Sequence, residues 1–201
     1  MMESKLHLPN RISLVLLNSF IVLTIFSTIL ILFGFNEASV RMNIRATART
    51  SLFFFLMAFF ASSFTKVFKS EFTRWLLRNR RYFGLSFAIS HLIHLIFILI
   101  LNHQMQGELF GSYPAQIFLG GGLGYVFILL MSLTSNDRAV KRLGIRRWKI
   151  LHSAGAYYLW FIFFFTYFGN ATRHPLYFSI TLVLVAGLSF KLLVKFRLVK
   201  S

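Results

Sequence analysis

The chain has 201 residues, is 57% hydrophobic and has a mean hydropathy of +0.68, where a soluble domain carries roughly 45–50% apolar residues, so it reads as one integral membrane domain. Its formal charge of +17 would suggest nucleic acid in a soluble protein, but the basic residues fall between apolar runs, so they are read as topology signals and no nucleic-acid partner is expected. Cysteine is absent, which excludes disulfides, thiolate zinc sites, iron–sulfur ligation and thiol redox chemistry, so a redox role would need a bound cofactor.

Asn10 is placed to cap the first helix, predicted over 12–33 as an apolar run too long for a signal-peptide core. Residues 36–49 read as a polar connection. There Arg41, Arg45 and Arg49 share one helical face, which predicts either an outer-face anion site or an interfacial anchor. A phenylalanine-rich helix follows over 50–68, then a basic loop with Lys66, Lys69, Arg74, Arg78, Arg80 and Arg81. The third helix, 82–101, carries His91 and His94 near its middle, three residues apart and so close together on one face. Residues 102–114 hold Glu108 and neither Lys nor Arg. The fourth helix, 115–133, contains Gly120, Gly121, Gly122 and Gly124, which would admit a flat macrocycle or another helix. A second basic loop, 136–147, leads to a helix over 148–167 that opens with His152. A turn with Arg173 and His174, a helix over 176–194 and a basic tail complete the chain.

These runs predict an all-α, six-helix membrane bundle, a single transmembrane domain over 1–201 with no appended soluble domain. Of the 22 Lys and Arg, all but Arg41, Arg45, Arg49 and Arg173 collect on the side that six spans assign to both termini. The positive-inside rule makes that side cytoplasmic.

A titratable ring in mid-membrane is costly without a partner and marks a functional site by default. Imidazole is also the commonest transition-metal ligand. His94 lies roughly 20 Å from Arg81 along its helix, and His152 roughly 7–8 Å from Arg147. These depths suit ligands of different sites better than two axial ligands of one, and the sequence leaves the pairing open. The plainer reading of each histidine is a hydrogen bond to a neighbouring helix. His7, His103 and His174 read as surface residues. Glu37, Glu71, Glu108 and Asp137 all fall in loops or at span ends, which disfavours a transporter and a hard-metal site. A cofactor that brings its own metal and needs only imidazoles is the better fit, and haem b is such a cofactor. Arginines at helix ends would suit its propionates.

Several segments resemble a known family. Arg80-Arg81-Tyr82-Phe83-Gly84-Leu85 followed by His94 is similar to the third-helix start of the ferric reductase-like transmembrane domain. Thr134-Ser135-Asn136-Asp137, Arg142-Leu143-Gly144 and Arg146-Arg147-Trp148-Lys149-Ile150-Leu151-His152 resemble its loop and fifth-helix start, and Ala48-Arg49-Thr50 its second-helix start. The resemblance covers about Arg45 to Phe168. Within the family, the pattern is most like the haem-binding membrane subunit of the bacterial methionine sulfoxide reductase system. It implies a six-helix haem b protein that passes electrons across the membrane, with His94 and His152 as haem-iron ligands. The family usually carries a second fifth-helix histidine about 13 residues after the first. Phe165 stands there in this chain, and His91 is an extra candidate ligand.

The function expected is a haem-containing electron-transfer subunit, or membrane oxidoreductase component. No Gly-rich phosphate loop follows a strand, so no FAD or NAD(P)H domain is expected. Electrons would come from membrane quinol or a separate cytoplasmic flavoprotein, and would leave to Fe(III) or a periplasmic acceptor protein. The alternative is a haem-free membrane scaffold or partner-binding subunit, which Phe165 favours.

Overall fold

The computed structural model describes residues 11–111 and 115–197, so His7, Asn10 and the end of the basic tail lie outside it. The described residues form α1 (Ile12–Phe33), α2 (Glu37–Phe68), α3 (Glu71–Gln104), α4 (Glu108–Gly111), α5 (Ala115–Leu133), α6 (Asp137–Leu143), α7 (Ile145–Phe168) and α8 (Pro175–Arg197), with no strand among them. The all-α membrane architecture expected from composition is what the chain adopts.

Two helices begin earlier than their apolar runs. The stretch expected as a polar connection over 36–49 is the opening of α2. The Asn36 side chain accepts from Ser39 N at 3.0 Å, and Ser39 Oγ accepts from Asn36 N at 3.1 Å, so each residue caps the other. Glu37 sits in the first turn, where the helix dipole favours an acid, and pairs with Arg41 one turn on at 2.7 Å. The basic loop expected before the third span is also mostly helical. It breaks only at Lys69, in the left-handed region at φ 46°, and at Ser70, whose hydroxyl accepts from Thr73 N at 3.2 Å and starts α3. With 32 and 34 residues, α2 and α3 are roughly 48 and 51 Å long, well beyond a hydrocarbon core of about 30 Å. Their charged ends therefore project past the apolar zone.

Contacts fix the helix directions. Thr65 bonds Thr73, Ser51 meets His91 and Thr47 meets His94, so α2 and α3 are antiparallel. Arg11 N donates to Asn79 Oδ1 at 3.1 Å and Asn18 Nδ2 to Ser86 Oγ at 3.0 Å, which sets α1 parallel to α3. Tyr158 reaches Gly120 and His152 reaches Thr134, so α5 and α7 are antiparallel. Phe60 against Gly187 and Phe64 against Phe190 run α8 alongside α2 in the same sense. Thus α1, α3 and α7 point one way and α2, α5 and α8 the other. Each predicted apolar run lies within one of these six.

Among the described residues, α1, α2, α3 and α8 are long and apolar enough to cross a bilayer, and a fifth span arises if Leu119–Leu133 and Asp137–Leu143 count as one. Those two segments bend by 103°. Asp137, Arg138, Lys141 and Arg142 make α6 a surface turn of helix rather than a continuation of α5. Arg146, Arg147, Lys149 and His152 lower the apolar character of α7, whose 24 residues still reach roughly 36 Å.

The core is aromatic. Phe55 of α2 packs within 5.3–5.5 Å, centroid to centroid, of Phe59, Phe87 and Phe163, joining α2, α3 and α7. At Gly187 a Cβ would collide with the Phe60 ring, so α8 seats against α2 only because that position has no side chain.

Candidate functional site

His91 and His94 of α3 face α2 across a polar seam. Asn43, Thr47 and Ser51 on α2, and Ser90 on α3, are buried there. Such small polar residues let the helix backbones approach closely and supply bonds across the interface. The histidine rings stack on each other with centroids 5.0 Å apart. His91 also meets Phe87 at 5.4 Å, Tyr125 of α5 at 5.1 Å and Phe163 of α7 at 5.8 Å. Tyr125 donates its hydroxyl to the His91 carbonyl at 3.3 Å. Four helices therefore converge on this ring.

The hydrogen bonds assign the ring protons. His94 Nδ1 lies 3.0 Å from the Ile44 carbonyl oxygen, which can only accept, so Nδ1 carries the hydrogen and donates it. His91 Nδ1 lies 3.0 Å from Ser51 Oγ, whose own hydrogen goes to the Ala48 carbonyl at 2.9 Å. The serine oxygen is left to accept, and His91 is the same tautomer. In both rings Nε2 keeps its lone pair, and among the described residues no hydrogen bond engages it.

His152 is arranged the other way. Its Nε2 lies 3.0 Å from Thr134 Oγ1, which donates to the Leu130 carbonyl at 2.7 Å. The Nε2 hydrogen therefore goes to Thr134. Trp148, whose ring lies tilted against His152 at 4.3 Å, donates to the Thr134 carbonyl at 3.0 Å. Two side chains from the first turns of α7 thus hold the end of α5, and α6 is the loop they close. Nearby, the exposed Asp137 pairs with Arg81 of α3, whose hydrogen bond and charge hold the carboxyl below its usual pKa.

The histidines do not gather into one site. Among the described residues there is no group of three or more His, Cys, Asp or Glu side chains that could hold a metal ion. His152 instead lines a cavity of about 330 Å³ between the basic ends of α2, α3, α5 and α7, opposite Arg80, Arg81 and Gly84. Phe165 is 51% exposed and turned from the core, while the α7 ring that reaches His91 is Phe163. His103 is exposed at the end of α3, and exposed His174 accepts from Leu176 N at 3.1 Å through Nδ1. Gly120 and Gly124 face Tyr158, Ile162 and Leu159 of α7 at ordinary contact distance, whereas Gly121 and Gly122 meet nothing. Gly120 and Gly124 therefore lie at the contact of α5 with α7. Arg41 is tied to Glu37 and lies 3.3 Å from Met105 Sδ, and Arg45 and Arg49 are exposed.

On the α3 side the donor chemistry is of the kind a haem iron takes. Both α3 imidazoles present Nε2, with Nδ1 anchored as in metal-ligating histidines. On α7 the facing side chain is a phenylalanine, and His152 would have to release Thr134 or bind through Nδ1. The supporting residues Ile44, Thr47 and Ser51 were not among the residues predicted from the sequence. The Ser/Thr spacing of α2 was the available signal.

A family model, that of the ferric reductase-like transmembrane component, matches residues 45–165. No curated protein and no solved structure matches the chain.

Proposed function

We propose a function from one premise: the chain belongs to the family of ferric reductase-like transmembrane components. It is a haem b-containing electron-transfer protein of the bacterial inner membrane, crossing it six times with both termini cytoplasmic. His94 is the principal protein ligand, His91 the second candidate and His152 the third. The observation that carries this reading is the bond from His94 Nδ1 to the Ile44 carbonyl, which leaves Nε2 available deep in the bundle.

Haem iron, when bound, supplies a one-electron carrier. The chain's own residues do the rest. Ile44 and Thr47 fix the orientation of His94, Ser51 fixes that of His91, and Phe87, Tyr125 and Phe163 pack around the His91 ring. Electrons enter from quinol or a separate flavoprotein at the basic face and leave to an outer-face acceptor, Fe(III) or a periplasmic protein. The likeness to the membrane subunit of the methionine sulfoxide reductase system belongs to this reading, and rests on the α3 segment and on the segments from Thr134 through α6 to the start of α7.

One observation favours the alternative, a haem-free scaffold or partner-binding subunit: Phe163, not a histidine, faces His91 from α7. Quantifying haem in purified His94→Ala, His91→Ala and His152→Ala separates the two. The electron-transfer reading expects His94→Ala to lose most of the haem, while unchanged haem in all three variants would reject the site.

A further inference from the structure

We propose that the cavity at the basic end of the bundle binds an anionic phospholipid of the adjoining leaflet. Its inner wall is apolar, with Phe55, Phe59, Phe87 and Ile128, and its mouth carries Arg78 and Arg80. Arg81, also at the mouth, is matched by Asp137, whereas among the described residues no ion pair involves Arg78 or Arg80.

Like charges gathered around an apolar slot call for an anion with an apolar body. A neutral quinol would leave the cations unmatched. A zwitterionic lipid would bring its own cation into their midst. A phospholipid with one net negative charge satisfies both demands: its phosphate lies at Arg78 and Arg80 and an acyl chain lies along the phenylalanines, as in basic pockets between membrane helices generally. At about 330 Å³ the slot is in the range of ligand cavities. The inference does not depend on haem.

The test uses the full chain in detergent, delipidated and then incubated separately with phosphatidylglycerol and phosphatidylcholine vesicles, with the lipid retained after gel filtration measured by mass spectrometry. Phosphatidylglycerol is expected to be retained at least about tenfold over phosphatidylcholine, an excess abolished by R78Q/R80Q and kept by K149Q, whose exposed cation lies outside the slot. Equal retention of the two lipids by the unaltered chain overturns the proposal, whatever the variants do. So does displacement of phosphatidylglycerol by millimolar inorganic phosphate, which would make the site one for a free anion. Loss of haem rather than lipid in R78Q/R80Q also overturns it, because the cations would then serve a cofactor's carboxylates.

Discussion

A histidine with both nitrogens satisfied is a structural residue, and one with Nδ1 tied off and Nε2 bare is prepared to bind something. His94 and His91 are of the second kind, and His152, gripping Thr134 through Nε2, is nearer the first. This difference ranks the three candidates, and the sequence could not show it. Ile44 and Thr47 are about 50 residues from His94 in the chain and belong to a stretch that composition alone assigns to a connection. Because the Ile44 carbonyl is backbone, Thr47→Val should leave haem content within about twofold, whereas Ser51→Ala, which strands the Nδ1–H of His91, costs about 1–3 kcal/mol of local stability. Haem titration and thermal unfolding of the two variants measure these effects, and a large haem loss in Thr47→Val would shift the anchor of His94 from the carbonyl to the hydroxyl.

At the scale of elements, hydropathy located the six long helices but not their true ends. The apolar windows stop where the charges begin, while the helices continue through Arg41, Arg45 and Arg49 and through Arg74 to Arg81. The caps left a signal in the sequence that the reading of 36–49 as a connection passed over: Asn36-x-x-Ser39 and Ser70-x-x-Thr73 are helix-start patterns, with Glu37 and Glu71 directly after the cap residues. The close seat of α8 on α2 left none, since Gly187 lies in an apolar run with nothing to point to Phe60. Gly187→Leu should destabilise the protein by about 1–3 kcal/mol through overpacking. Phe60→Ala in the same chain should recover part of the loss in a thermal-unfolding cycle. The Arg81–Asp137 pair joining α3 to α6 has a pH sense as well. The folded-state pKa of Asp137 is depressed, so the contact contributes above the unfolded-state pKa and is lost as pH falls through the folded one. Full exposure of the aspartate keeps that contribution small.

For the whole molecule, alternating helix directions put Arg11 and the end of α8 at one end of the bundle, the end that also holds the basic residues of α3, α6 and α7. The positive-inside rule then orients it. Reporter fusions at Gly107 and Leu143 should report opposite sides, and two cytoplasmic reports would remove the six-span arrangement. The measurement that bears most directly on the central claim is the reduced-minus-oxidised absorption spectrum of the purified full chain, made with ample haem and calibrated as the pyridine haemochrome. The account predicts a reducible b-type Soret band at roughly one haem per chain, lost in His94→Ala. A monodisperse protein with no reducible Soret band would contradict it.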